Sequence, residues 1–448
     1  MARNRVIYQS EAVYVTQSGY NEDLTATSGF QGAGVNIGAV AANARDAVMD
    51  LHRVQSANYS FNITRQDVNQ FGELAAIDRI ITDTPTVSFD TSYILANFDN
   101  ENKLGFEVAP SGSEANTAFV SCISGLIDSS TNAHQKDYFI LTAKEGADAV
   151  DNLNTGKYES IIGIGNGFIT SYSSEASVGG LPTVSVGVEG MNMNFNTIAT
   201  GDQISSVSGP ADGGKGFRIN ADSNVLSGVS GINPAIDPEN GTAMQGNARF
   251  AVLPISTQNA SGAGGGLISA LRPGDITLSL IAHDATANLD AIMHSSATAD
   301  DLLVGADVKD AHIQSYTLSF DLGRTPIQKL GTRFAFARPV DFPITASLSV
   351  DAVLADLTTG TVSDLINCDH SYDAVIKMKD PSLCNATAAN KPVAVSYLAR
   401  DLKIDSESFT SSIGDSKSVT LDFTCQIGGP EQKTVGVFMS GWYNQEGQ

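Results

Sequence analysis

Basic residues are scarce in this chain, and long apolar runs are absent. Its 448 residues include 26 Lys and Arg against 49 Asp and Glu, which gives a formal net charge of −23. Because Lys and Arg do not cluster, a surface that holds phosphate groups tightly is disfavoured. No apolar run approaches the ~18 residues of a membrane-spanning helix, and the first residues lack the apolar core of a signal peptide. We therefore expect folding in a cytoplasm and no membrane partner.

Cysteine is also rare, and its spacing carries no chemistry. So few cysteines in so long a chain do not form a disulfide framework, and no CxxC motif occurs. Reduced, buried thiols are the expectation. The six histidines show no HxH or HExxH spacing, which disfavours a metal site. The cysteines are Cys122, Cys368, Cys384 and Cys425.

Glycine-rich strings offer no nucleotide site. Residues 163–167 read GIGNG, but a dinucleotide loop needs GxGxxG ahead of a helix, and the next residues resemble a strand. Residues 261–266 (SGAGGG) lack the Lys-Ser/Thr of a phosphate loop. No Gly-x-Ser-x-Gly elbow occurs to complete a triad with His283 and Asp284. The sequence predicts no catalytic, cofactor or metal residue, and we expect no enzyme.

What is abundant is the composition of β-structure. Glycine accounts for 42 residues, and short runs of Val, Ile, Tyr and Phe alternate with polar residues between turns. Strands are predicted at 54–63, 86–95, 183–188 and 418–423, the last two after the glycine turns 178–180 and 413–415. Helical patterns are confined to 118–127 and 362–368. The predicted fold class is mainly β, with a short flanking helix in each half.

The chain contains a repeat of itself. VQSANYSFNITRQDVNQFGELAAIDR (54–79) aligns without gaps with IQSYTLSFDLGRTPIQKLGTRFAFAR (313–338), with eight identities in 26 positions. Chance would give about one or two. A second pair, 169–189 with 404–424, has six identities in 21 positions and follows in the same order. We interpret this as a tandem duplication with a first domain at 1–200, a Gly/Ser/Asp-rich linker or surface insertion at 201–246, and a second domain at 247–448.

The repeat also bears on the role of Arg65 and Asp67, which are close in sequence and could form an acid–base or anion site. Arg65 recurs as Arg324, but Asp67 becomes Pro326. An arginine that is kept while its carboxylate is lost favours a contact at an assembly boundary over catalysis. The residues that recur, and that we predict to serve assembly, are Arg65, Gly72 and Arg79 in the first copy and Arg324, Gly331 and Arg338 in the second.

As a set, several segments resemble one family. The segments are RVIYQSEAVYVT near the start, the 54–79 block, TPTVSFDTSYIL (84–95) and ITSYSSEASVGGLPTVSVGVEGMNM (169–193). They are similar to the major tail tube proteins of long-tailed, siphovirus-type bacteriophages. The resemblance covers residues 1–200 well, and it extends to 245–448 mainly through the repeat.

The resemblance implies β-sandwich or partial-barrel domains whose sheets join in rings that stack into a tube. A duplicated chain implies trimeric rings with pseudo-sixfold symmetry. It implies a virion protein, assembled in the host cytoplasm, that meets tail tip or initiator and tail terminator proteins. A tape measure protein occupies the lumen before ejection, and double-stranded DNA then passes without specific binding. An acidic wall would repel that DNA.

Two alternatives stay open at the level of sequence. One is another β-rich virion component, such as a distal tail or baseplate ring or a capsid decoration protein. The other is an enzyme or carbohydrate-binding module on a β scaffold, which would need a converging site.

Overall fold

The computed structural model describes residues 11–17, 48–82, 86–110, 119–127, 136–143, 158–197, 218–220, 250–252, 270–294, 311–328, 330–331, 335, 337–354, 371–381, 392–410 and 418–441. The elements up to residue 197 are β1 (Glu11–Gln17), β2 (Val48–Asp50), β3 (Val54–Asn62), β4 (Arg65–Val68), β5 (Asp78–Ile81), β6 (Thr86–Ile94), α1 (Asp99–Leu104), β7 (Val108–Pro110), α2 (Ser124–Ile127), β8 (Lys136–Ala143), β9 (Tyr158–Ser177), β10 (Thr183–Gly190) and β11 (Asn192–Thr197). The remainder are β12 (Arg218–Asn220), β13 (Phe250–Val252), a 3-10 turn (Pro273–Asp275), β14 (Ile276–Ala282), α3 (Leu289–His294), β15 (Ala311–Asp321), β16 (Ile344–Leu354), β17 (Tyr372–Lys379), β18 (Val393–Thr410), β19 (Ser418–Ile427) and β20 (Gly436–Gly441).

One sheet runs through both halves of the chain. Its central strands lie in the order β3-β6-β10-β9-β15-β16-β19-β18, and all of these neighbours are antiparallel. The first four strands come from the first half of the sequence and the last four from the second. The mainly β prediction is therefore confirmed, and the two halves meet edge to edge where β9 pairs with β15.

Each half is a two-layer sandwich made by bending one long strand. The first part of β9 pairs with β8 and β11, whereas its last part enters the central sheet. β18 does the same, with β17 and β20 in its outer layer. Aromatic rings fill the space between the layers. In the first half the ring centres of Phe89 and Tyr138 lie 5.3 Å apart. In the second half α3 covers the far side of the outer layer with Leu289 and Met293.

A left-handed residue and a buried carboxylate hold each bend. Asn166 in β9 has φ 52° and Asp401 in β18 has φ 58°, a conformation that L-residues rarely adopt. The backbone N–H of Asn166 donates to Asp137 Oδ1 at 2.9 Å, and that of Asp401 donates to Asp373 Oδ1 at 3.1 Å. The same solution therefore appears at matching places in both sandwiches.

Strand registers also correspond between the halves. Val54 faces Tyr93 in the first half, and at the same spacing Ile313 faces Ala352 in the second. A bulge follows directly in both ladders, between Val54 and Ser56 and between Ile313 and Ser315. The ladders β8–β9 and β17–β18 likewise share two bulges each. The alignment drawn from the sequence thus coincides with the alignment of the strands.

Some local predictions need correction or lie elsewhere. The helix expected at 118–127 is wrong in extent, because helix α2 spans only Ser124–Ile127 and the turn before it is not helical. The glycine turn at 178–180 is present, with Gly179 at φ 85°. The helix at 362–368, the turn at 413–415 and all of 201–246 except β12 lie outside the described residues.

Candidate functional site: a polar sheet face and two sheet edges

The central sheet buries one face and presents hydroxyl and carboxylate groups on the other. Along β6, Val87, Phe89 and Tyr93 point into the core, and the intervening side chains point away from it. The same alternation continues across the join into the second half. The positions in register on this polar face are Ser56, Asn58, Ser60, Asn62, Thr86, Ser88, Asp90, Ser92, Thr183, Ser185, Gly187, Glu189, Ser171, Ser173, Glu175, Ser177, Ser315, Thr317, Ser319, Asp321, Thr345, Ser347, Ser349, Asp351, Thr420, Asp422, Thr424, Gln426, Ser406 and Ser408.

The charges on this polar face are mostly negative. None of the positions just named is Lys or Arg, although Lys403 faces Thr424 where β18 enters the sheet, and the acidic ones are Asp90, Glu175, Glu189, Asp321, Asp351 and Asp422. Apart from Glu189, which pairs with Arg338, these carboxylates make a negative surface potential, which falls off over about 8 Å at physiological ionic strength. Such a surface repels phosphate groups.

Some hydroxyl groups on the polar face pair with one another across strands. Ser60 Oγ lies 2.6 Å from Ser88 Oγ, and the equivalent pair Ser319 and Ser347 lies at 3.4 Å. These cross-strand pairs engage part of the hydrogen-bonding capacity of the face within the sheet itself.

Hydroxyls also donate to carboxylates on the polar face of the second half. Asp422 accepts hydrogen bonds from Ser349 and Ser406, both at 2.6 Å. These bonds, the one from Ser349 first, lower the pKa of the Asp422 carboxyl. Asp351 accepts from Ser315 at 2.8 Å and from Thr420 at 2.5 Å. The negative charge is thus held in place by the sheet itself.

Two edges of the central sheet have no described strand against them. Among the described strands, β3 pairs with β6 alone, although its counterpart β15 pairs on both sides. Within the described residues, the last part of β18 likewise pairs with β19 alone, although its counterpart in β9 pairs on both sides. On β3, Tyr59 is 42% exposed and Phe61 60% exposed. Exposed edges with aromatic residues are sites where another chain adds a strand.

The structure places Arg65 and Arg79 on an exposed hairpin. β4 pairs with β5, and Arg79 Nε lies 2.6 Å from Asp67 Oδ1 with both side chains largely in solvent. Such an exposed ion pair contributes at most about 1 kcal/mol. Arg65 and Asp67 are therefore not a converging pair, because Asp67 is occupied by Arg79. The hairpin also carries exposed apolar side chains, including Phe71 and Leu74.

In the second half the equivalent arginines lie at the boundary between the halves, Arg324 partly buried and Arg338 buried. Arg324 donates to the carbonyl of Leu126 at 3.0 Å and to that of Arg338 at 3.0 Å, and its guanidinium lies 4.9 Å from the centre of the Phe168 ring. Burial lowers the pKa of Arg324 to about 10. Arg338 forms an ion pair with Glu189. The second-half connection thus clasps the first half.

The two predicted glycines occupy equivalent turns. Gly72 has φ 95° and Gly331 φ 93°, and an added Cβ at either one would meet nothing within 4 Å. The glycines therefore serve backbone conformation and not close packing. The bridges around them match as well, because Arg65 pairs with Ile81 and Arg324 with Val340.

A buried polar cluster also joins the halves, and no local sequence pattern predicts it. Glu101 of α1 is fully buried, and its Oε1 accepts from Tyr93 at 2.8 Å and from Tyr172 at 3.2 Å. Tyr172 in turn lies 2.7 Å from the hydroxyl of Tyr397 in β18. Burial raises the pKa of the Glu101 carboxyl to about 7, against the effect of these hydrogen bonds.

Other functional chemistry is limited within the described ranges. Cys122 and Cys425 are buried thiols without a disulfide, and Cys368 and Cys384 lie outside those ranges. No group of three His, Cys, Asp or Glu in the described part of the chain could hold a metal ion. None of the described helices combines the length and apolar character needed to cross a membrane. His283 makes a structural contact, because its Nδ1 lies 2.7 Å from Oδ1 of the buried Asp373.

Comparison with known proteins leaves the family undetermined. No protein-family model matches the chain. No curated protein matches it either. Among solved structures, the chain is similar to one described as the crystal structure of Hcp protein, with 11% identity and a TM-score of 0.19. That similarity covers 37% of this chain and 98% of the other, and at this TM-score it carries no functional argument.

Proposed function

We propose that the chain is the structural subunit of a bacteriophage tail tube of the siphovirus type. Three chains form a ring with pseudo-sixfold symmetry, and the rings stack into a conduit for double-stranded DNA. In this proposal the chain is a fused duplication of two tube domains. The sequence resemblance described above supports the tail tube part of this proposal.

The observation that carries the proposal is the join between the two halves. β9 of the first half pairs with β15 of the second, and the same two kinds of edge are left at the ends, β18 and β3. An interface that joins unlike edges head to tail gives a ring when its rotation closes, and closure after six domains is what we propose. A single chain is then two steps of that rotation.

The polar face of the central sheet supports a conduit. In a ring built by edge pairing, this face becomes a continuous wall on one side of the sheet. A wall of hydroxyls and carboxylates with a predominantly negative charge repels the phosphate groups of DNA, so DNA slides without being held. We assign the polar face to the lumen.

Partners and location follow from this function. In the virion tail the ring contacts other copies of itself, a tip or initiator complex at one end and a terminator protein at the other. A tape measure protein fills the lumen before ejection. The chain needs no cofactor, metal or catalytic residue for this work, and assembly takes place in the host cytoplasm.

Electron microscopy of the purified chain tests the proposal. With the initiator complex present, we expect hollow tubes whose helical reconstruction shows three chains per ring. Dispersed monomers under all conditions would contradict the function, and six chains per ring would contradict the pseudo-sixfold version. In purified particles the chain should be among the most abundant proteins, whereas a tip ring would be present in a handful of copies.

A further inference from the structure

The join inside the chain is a template for the contact between chains. In it, residues of β15 from Ser315 to Asp321 face residues of β9 from Ser177 to Ser171 without a break. On the core side, Phe320 stacks against Tyr172 with ring centres 5.3 Å apart. On the polar side, Ser319 faces Ser173. The join is therefore a full antiparallel ladder with a packed inner face.

β3 carries the same surface as β15 but lacks its cover. Leu318 and Phe320 are 0% and 2% exposed, whereas their counterparts Tyr59 and Phe61 are 42% and 60% exposed. Register on the occupied side is identical, since Ser60 faces Ser88 as Ser319 faces Ser347. A strand so similar to a covered one, with aromatic residues in solvent, is suited to the same kind of partner.

The partner strand is present in every copy of the chain. The last part of β18 pairs with β19 as the last part of β9 pairs with β10, including the bulge. Ser408 takes the place of Ser173, and Ser406 that of Ser171. Both are exposed, whereas the strand they correspond to is covered.

We infer that β18 of a second copy pairs with β3 in the register of the β9–β15 join, so that Ser60 faces Ser408 and Asn62 faces Ser406. This inference rests on the proposed function and specifies the ring contact that the function requires. It commits to a second copy of this chain as the occupant of the β3 edge.

The hairpin β4–β5 completes the contact as a clasp. In the internal join, Arg324 reaches across to the carbonyl groups of Leu126 and, at 3.5 Å, of Ile169. The position equivalent to Ile169 in the second half is Ile404, and Arg65 is exposed at the position equivalent to Arg324. Arg65 therefore donates to the carbonyl of Ile404 in the second copy.

A difference between the two clasps explains why the first carries Asp67 and the second has no acid at the equivalent position. Arg338 finds its carboxylate on the first half, at Glu189. The position equivalent to Glu189 in the second half is Thr424, which has no charge. Arg79, the counterpart of Arg338, instead pairs with Asp67 of its own hairpin. Asp67, whose counterpart in the second half is Pro326, is thus needed only where the docking surface has no carboxylate.

Cysteine cross-linking tests the register. Residues that face each other in an antiparallel pair have Cα atoms about 4.5–5.5 Å apart, which suits a disulfide. The Ser60→Cys, Ser408→Cys double variant is expected to form disulfides between chains in assembled material, seen as a ladder on a non-reducing gel. Ser319→Cys with Ser173→Cys is the matched control, and it should form the bridge within one chain.

An off-register pair separates this inference from the proposed function. Ser60→Cys with Ser406→Cys places the thiols diagonally, about 7–8 Å apart, and should cross-link at least tenfold less. Tubes that form without the Ser60–Ser408 bridge, or with both pairs equally bridged, would overturn the register and leave the tube function standing. Failure of the wild-type chain to assemble would overturn both.

Arg65→Ala tests the clasp. We expect the concentration needed for assembly to rise about tenfold, with the circular dichroism and unfolding midpoint of the monomer unchanged. Gln66→Ala, at the adjacent exposed position, is the matched control and should assemble as the wild type does. Assembly of Arg65→Ala at the wild-type concentration would show that the arginine has no part in the contact.

Discussion

Two buried aspartates do the same structural work in different electrostatic surroundings. Asp137 accepts the backbone N–H of Asn166, and burial raises the pKa of its carboxyl to about 7. Asp373 accepts the N–H of Asp401 but also pairs with the buried guanidinium of Arg400 at 3.1 Å. A carboxylate with a cation is stable as a charge, whereas one without a cation is costly when ionised.

Substituting each aspartate by asparagine should therefore have opposite consequences. The raised pKa of Asp137 means that the folded state holds a proton that the unfolded state releases between about pH 4 and 7, so stability from this group is present below that window and lost across it. Asp137→Asn keeps a hydrogen-bond acceptor but removes the ionisable carboxyl. Relative to the wild type, it should therefore stabilise the chain more at pH 8 than at pH 4.5. Asp373→Asn leaves Arg400 buried without its partner and should cost about 3–5 kcal/mol.

Urea unfolding of both variants at pH 4.5 and pH 8 measures the difference. The comparison is matched because both residues hold the same strand bend in equivalent sandwiches. Equal destabilisation by the two substitutions at pH 8 would contradict the role assigned to Arg400.

At the scale of elements, the strands were predictable and the contacts between halves were not. β3, β6 and β10 follow the alternation of apolar and polar residues that their sequences show, and their ends fall within a few residues of the prediction. The repeat also aligned the hairpins around Gly72 and Gly331. Local periodicity and turn residues determine these features, so a single sequence reveals them.

The join, the polar cluster and the strand bends depend on tertiary context. Nothing local marks Asn166 as left-handed, because its conformation is held by Asp137 from another strand. The polar face was hidden for a similar reason, since it is the sum of alternate positions in many strands. Its signal was present in runs such as ITSYSSEAS (169–177), but only the sheet order brings those positions together.

The two connections that carry the repeated arginines should differ in their effect on the monomer. Arg324→Ala removes the donor to the Leu126 and Arg338 carbonyls inside the chain, so we expect a loss of about 2–4 kcal/mol in unfolding free energy. Arg65→Ala changes an exposed hairpin and should stay within about 0.5 kcal/mol of the wild type.

Thermal and urea unfolding of dilute, unassembled chain checks this contrast. Arg324→Lys is a useful companion, because it keeps the charge but cannot reach several acceptors with a planar fork. If Arg65→Ala destabilised the monomer as much as Arg324→Ala, the hairpin would be part of the monomer fold and not a contact between chains.

At the scale of the whole molecule, the sign of the polar face determines how DNA behaves in the proposed tube. Asp90 and Asp321 lie exposed on one cross-strand row of the polar face, with Gly187 and Ser171 between them. Asp90→Lys with Asp321→Lys exchanges two negative charges for two positive ones without touching the core. We expect this double variant to fold and assemble, and to retain double-stranded DNA at low salt where the wild type does not.

The location of the charge, and not its total, is what this experiment must distinguish. Glu73→Lys with Glu431→Lys makes the same change in net charge at exposed positions away from the polar face, and serves as the control. Gel-shift and sedimentation assays at 20 and 200 mM salt should show DNA retained by the face variant only, with binding lost at the higher salt as counterions compete. If the control variant retained DNA equally, net charge alone would keep DNA from the protein, and the polar face would lose its assignment to the lumen.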